Sequence, residues 1–223
     1  PTGIIGGNGG EVPFPGITIG THDIVYKSTD PCGNTSLDTL QVTVEDDLDP
    51  YMICIQYTVV SLTNVGTAYS YASSFDNGSY DNCGPLELKV RRMDDGCFAD
   101  TTFADYVRFC CDDIGTSVSV IMEGTDWYGQ KSTCMIQVNV QDKLDPYIQC
   151  PPDVTLECGD DYEDLSITGN IVTDPIDQTS LDGLALDNCS NLDISYTDEF
   201  DIACGTGSIE RTWSVTDMGG ETV

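Results

Sequence analysis

The chain has 223 residues, 38 of them acidic and only 8 basic, for a formal charge of −30 at pH 7. DNA, RNA and anionic lipid would be repelled over most of such a surface, which excludes nucleic acid as a natural partner. A hydrophobic content of 39% with 11 Tyr argues for a folded chain, long enough for two or more units of roughly 100 residues.

The opening GIIGGNGG, residues 3–10, reads as a loop, without the Lys and the strand-to-helix setting of a phosphate-binding loop. Ile24 and Tyr26 read as a buried strand, TDPCGN at 29–34 as a tight turn, and Leu40, Val42 and Val44 as one face of the next strand. Then comes VEDDLDPYMIC at 44–54, which returns as VQDKLDPYIQC at 140–150, so that Cys54 recurs 96 positions on as Cys150. Between the two lie a DNC turn at 81–83, the basic stretch KVRR at 89–92 and a strand with Val120 and Met122 inward. The turn TDWYGQ at 125–130 leads into Ile136, Val138 and Val140, which repeat the face of Leu40, Val42 and Val44. A third, partial copy runs through CPPDVTLEC and LDNCS to ERTWSVTDMGG, where Trp213 stands for Tyr26 and Asp217 for Asp126 and Asp30.

The period is that of a whole domain rather than of a solenoid turn, and no segment sustains a helical period. The expected architecture is all-β: tandem antiparallel β-sandwiches joined end to end. Their bounds are 1–46 for the last strands of a first unit, 47–142 for a complete one and 143–223 for a third lacking its last strand. The chain opens at Pro1 with neither initiator Met nor signal peptide, so it is expected to be a piece of a longer exported protein. Its 11 Cys without a CxxC pair favour an oxidising compartment, and no apolar run is long enough to span a bilayer, so no membrane insertion is expected. Catalysis is not expected. The only histidine is His22 on a strand, and the acid pairs Asp94/Asp95 and Asp160/Asp161 are sequence neighbours in turns.

The order FPGITIGTHDIVYKSTDPCGNTS, LQVTVED, CPPDVTLEC, DNC and IERTWSVTD resembles the hyalin-type (HYR) immunoglobulin-like repeat. More narrowly, DNCGPLELKVRRMDDGC, YVRFCCDDIGTSVSV and CMIQVNVQDKLDP are similar to repeats of giant Bacteroidota surface proteins exported by type IX secretion. That resemblance implies an immunoglobulin-like fold, a place on a bacterial cell surface and a role as the shaft of an adhesin or surface filament. The implied partners are further repeats of the same chain, other copies in a homo-oligomeric filament, and a surface glycan or protein of another cell. The rival is a receptor module that gathers aromatic side chains at one pole, for which Tyr57, Tyr69, Tyr71, Phe75 and Tyr80 are available. An enzyme accessory domain is a third choice.

In a sandwich of this kind Cys54 would begin the first strand and Cys134 the last, with the two strands parallel and a Cys54–Cys134 bridge between them. Cys189 is expected to pair with Cys204, tying the DNC turn to the strand that follows, with Cys83 and Cys97 as their counterparts. Neighbouring strand residues face opposite ways, so at most one of Cys110 and Cys111 reaches the same pocket, and the pairing of Cys83, Cys97, Cys110 and Cys111 stays open. The same fold would bring Asp46 and Asp49 to Asp81 and Asp126, and Asp142 and Asp145 to Asp187 and Asp217. Carboxylates so crowded take up protons or recruit a cation, and hard oxygens suit a structural calcium. The alternative is that they only cap turns and keep the surface soluble. Pro50 and Pro146 fix the chain direction at each join. Lys89, Arg91 and Arg92 are expected either to meet the acids of a neighbouring subunit or to pair with Asp94 and Asp95.

Overall fold

The computed structural model describes residues 18–204 and 206–223. The glycine-rich stretch at 3–10 lies outside the described residues.

The fold is mostly β, with thirteen strands among the described residues. They are β1 Gly20–Thr29, β2 Thr35–Val44, β3 Tyr57–Ser61, β4 Thr67–Tyr71, β5 Glu87–Arg92, β6 Tyr106–Cys110 and β7 Ser117–Thr125. After them come β8 Lys131–Gln141, β9 Tyr147–Gln149, β10 Ile171–Val172, β11 Gly183–Leu186, β12 Asp193–Ala203 and β13 Thr206–Thr216. One short helix, α1 Leu165–Thr168, is capped by Asp164, whose side chain accepts from Ser166 N.

Strand order explains where the core sits. β3, β8, β7 and β5 make a four-stranded sheet in that order, β4 pairs β6, and β9, β10 and β11 make a small sheet. β3 runs parallel to β8, with Tyr57 opposite Gln137 and Ser61 opposite Gln141. β1 with β2, and β12 with β13, form long antiparallel ribbons. Alternation sets the buried faces: Val118, Val120 and Met122 of β7 and Ile136, Val138 and Val140 of β8 point inward, and Val90, Val107, Phe109 and Phe75 are buried as well. A second core gathers Ile171, Ala185 and Val215 with Ile148, Leu192, Ile194 and Trp213 packed on it.

In the first ribbon Tyr26 is exposed, as is Leu40, against the expectation of a buried strand. Among the described residues β1 pairs only with β2, so neither face has a second layer to pack on.

The chain forms two compact units. One holds the described residues up to Met52 together with Ser79–Glu87 and Gly124–Ser132; the other holds Ile53–Gly78, Leu88–Glu123 and Thr133–Val223. No helix among the described residues is long and apolar enough to cross a membrane.

Candidate functional site

The alternation that builds the core also aims the acids. In β8 the inward row Ile136, Val138, Val140 continues past the strand end to Asp142, which is buried. Met122 and Gly124 lead by the same two-residue step to Asp126, Val215 leads to Asp217, and Val42 and Val44 lead to Asp46. A carboxylate therefore stands where the next core residue would be.

Each acid uses one oxygen to close its own turn. Asp46 Oδ1 accepts from Leu48 N at 3.4 Å, Asp81 Oδ2 from Cys83 N at 2.7 Å, and Asp126 Oδ1 from Tyr128 N and Gln130 N at 2.7 and 2.9 Å. The second set follows the first: Asp142 Oδ1 accepts from Leu144 N at 3.2 Å, Asp187 Oδ2 from Cys189 N at 2.8 Å, and Asp217 Oδ1 from Glu221 N at 2.8 Å. Candidate ligand atoms of Asp46, Asp81 and Cys83 lie within 4.8 Å of one another, and so do those of Asp142, Asp187 and Cys189. Desolvation pushes the Cys83 thiol up, with the charges of Asp46, Asp81 and Asp126 adding to it. Asp187 is likewise raised above the usual carboxylate range by burial and by the charges of Asp142 and Asp217. Each cluster lies within one unit, the first with Asp46, Asp81 and Asp126, the second with Asp142, Asp187 and Asp217.

Asp49 and Asp145 do not join these groups and are exposed. They lie three residues beyond Asp46 and Asp142, an odd step that breaks the inward parity, and they precede the buried Pro50 and Pro146.

Three disulfides fit an oxidising environment: Cys54–Cys134, Cys97–Cys110 and Cys111–Cys189. Cys189 thus pairs with Cys111 and not with Cys204, which corrects the expected tie. β12 carries the chain roughly 33 Å away from the DNC turn before Cys204 appears, in the tight hairpin turn with φ +55°. Cys97 bonds Cys110 and not Cys83, and Cys83 is free. The adjacent Cys110 and Cys111 serve two different partners, as residues facing opposite ways must. Around the Cys111–Cys189 bridge the packing is close: Asn188 Nδ2 donates to Thr63 O, and a Cβ at Gly66 would meet Asn188 O and Cys111 Sγ.

The KVRR stretch does not form an outward patch. Arg92 is only 1% exposed; its Nη1 and Nη2 donate to Asp113 at 2.8 and 2.7 Å, its Nε to Asp94 at 2.7 Å and its Nη1 also to Arg108 O. Asp113 and Asp94 thus hold the guanidinium firmly charged and raise its pKa, against the burial that opposes it. Arg91 lies over the Phe103 ring at 5.3 Å, and Lys89 is half-buried. Sequence reading missed Asp113 and the inward turn of Arg92, although Val90, two residues earlier on the same face, carried the signal.

The aromatic residues divide as well. Phe75 is in the core, Tyr80 stacks on Tyr51 at 5.5 Å, and Tyr57 is exposed. Tyr69 and Tyr71 of β4 meet Tyr106 of β6 in an exposed cluster with ring centroids 5.8–6.0 Å apart. Compared with known proteins, the sequence matches no protein-family model and no curated protein.

Proposed function

We propose that this chain is a section of the shaft of a long extracellular adhesin or cell-surface filament of a bacterium, built of tandem immunoglobulin-like β-sandwiches. Its task in this reading is to transmit force and to hold binding regions away from the cell. The observation that carries it is the Cys54–Cys134 bridge beside the parallel β3–β8 pair. Pulled from the N-terminal side of β3 and the C-terminal side of β8, the five residue pairs would bear load in shear, all together, only once the bridge is reduced. While intact, the bridge carries tension straight from Cys54 to Cys134, a sequence separation of 80, and so past the whole loop it closes, β3 included. The duplicated VEDDLDPYMIC and VQDKLDPYIQC segments give the same handover twice.

Electron microscopy of source cells, labelled with an antibody raised against this chain, tests the reading. Label repeated along a thin surface fibre is expected; label confined to single points on the cell envelope would sink it. A second reading, a module that binds a glycan or protein of another cell, is favoured by the exposed Tyr69, Tyr71 and Tyr106 cluster, since aromatic faces stack on sugars and enrich interfaces. Retention on a glycan array, lost in a Tyr71→Ala, Tyr106→Ala variant, would support it.

A further inference from the structure

Seven buried side-chain oxygen or nitrogen atoms have no hydrogen-bond partner among the described residues, and six of them belong to the two acid clusters. They are Asp46 Oδ2, Asp81 Oδ1 and Asp126 Oδ2 in one, and Asp142 Oδ2, Asp187 Oδ1 and Asp217 Oδ2 in the other. Each is the carboxylate oxygen that its own turn leaves over. Asp142 is 1% exposed and Asp126 and Asp217 are 7%, so water does not complete them from outside. An ionised oxygen desolvated without a partner is costly, and three in one place add like-charge repulsion. A bare cluster of this kind, arising twice, calls for a cation.

Asp30 is the internal control. It opens the TDPCGN turn at the position matching Asp126 and Asp217, and its Oδ1 accepts from Cys32 N and Asn34 N just as theirs accept from their turns. Its Oδ2, however, takes Asn34 Nδ2 at 2.7 Å. The turn itself therefore does not require an oxygen left bare. The bare oxygens occur only where a join and a DNC turn meet the hairpin turn, and the contacts there are direct. Gln130 Nε2 donates to Asp46 O at 2.8 Å, and Gly219 packs so closely on Asp142 that a Cβ would lie 2.8 Å from its carbonyl oxygen.

The chemistry narrows the ion. Ligands about 2.4 Å from one ion lie no more than about 5 Å apart, which Asp46 with Asp81, and Asp142 with Asp187, satisfy within 4.8 Å; Asp126 and Asp217 are brought to them by the turns that pack on Asp46 and Asp142. Cys83 adds a thiol beside the first cluster, but Cys189, its counterpart, is locked in a disulfide. What the two share is therefore all oxygen and carries three negative charges, on loops whose irregular spacing suits the flexible shell of calcium better than the strict octahedron of magnesium.

We propose that Asp46, Asp81 and Asp126 bind one calcium ion, and Asp142, Asp187 and Asp217 a second. Each ion draws a join, a DNC turn and a hairpin turn onto one point and fixes the join's direction. Backbone carbonyls and water complete its shell. The sites stand on the bare oxygens alone and do not depend on the shaft reading, so either can fail without the other.

Calcium titration calorimetry on the chelator-treated chain tests this, with Asp126→Asn and Asp217→Asn as probes that keep the turn-closing oxygen. The parent is expected to bind two calcium ions with Kd of about 0.1–1 mM, the range of extracellular modules. Each single variant should retain one tight site and weaken the other at least tenfold, while Asp30→Asn should still bind two. Thermal melts give an independent sign: in chelator the Asn variants should melt no lower than the parent, since a repelling charge is gone, and in 10 mM calcium they should melt several degrees lower. No heat and no melting shift of the parent at 10 mM calcium would overturn the proposal. So would Asn variants that melt lower in chelator and calcium alike, or binding of zinc alone that disappears in Cys83→Ser.

Discussion

Pulling on the two ends of the chain should expose a covalent short cut. Tension reaching Cys54 crosses to Cys134, returns along about 23 residues to Cys111 and crosses again to Cys189. That route replaces about 135 residues of backbone, leaving about 112 out of load, or roughly 380 Å at about 3.4 Å per residue. In single-molecule force spectroscopy the oxidised chain should therefore release roughly 380 Å less between these points than the same chain in reductant. Changing Cys111 and Cys189 to Ser makes the load run directly from Cys134 to Cys189, about 55 residues, so the oxidised chain should lengthen by roughly 110 Å. Equal extension with and without reductant would refute the reasoning, as would no change in the Cys111→Ser, Cys189→Ser variant.

Other outcomes follow from the buried polar contacts. Arg92→Met should cost about 3–5 kcal/mol in urea unfolding, because it leaves Asp113, only 4% exposed, without its counter-charge. Combined with Asp113→Asn, which keeps an acceptor for Cys110 N, the loss should fall short of the sum of the two single variants. Gly66→Ala should destabilise by about 2 kcal/mol, since φ is +68° and the new Cβ would press on Asn188 O and Cys111 Sγ. Asp198 is held below its ordinary pKa by the hydrogen bonds and charge of Arg211, against a smaller opposing effect of burial. Its contribution is present above pH 3.8, the unfolded value, and is lost as pH falls through the lower folded value. Asp198→Asn should accordingly cost about 1 kcal/mol at pH 7 and little at pH 2, read from paired urea curves.

Much of the site was legible because the strand period of two is a local property. Val138, Val140 and Asp142 share a face by counting, and the repeat shows the same count at Val42, Val44 and Asp46. The same count, applied strictly, excludes Asp49 and Asp145 and turns Arg92 inward beside Val90; the basic run hid it, because a charge is ordinarily expected outside. Asp113 could not be found this way, since it reaches Arg92 from a 3₁₀ turn 21 residues on, through space. The bridge expected between Cys54 and Cys134 is found, whereas the pairing expected for Cys189 failed for a related reason. Cys111 and Cys189 are 78 residues apart in different copies of the repeat, a contact that no internal periodicity encodes.

Three of the few basic side chains are held by acids, and two of them, Arg92 and Arg211, are withdrawn into the protein, whereas Arg108 is 40% exposed. Arg92 lies over Phe109 and bonds Asp113, Arg108 lies over Phe98 and bonds Asp100, and Arg211 lies over Tyr196 and bonds Asp198. With these three guanidinium groups already paired to carboxylates, the molecule shows its surroundings a predominantly anionic skin. Two such chains lying side by side must share a sheath of small counterions, and how near they come will follow the saltiness of the water around them.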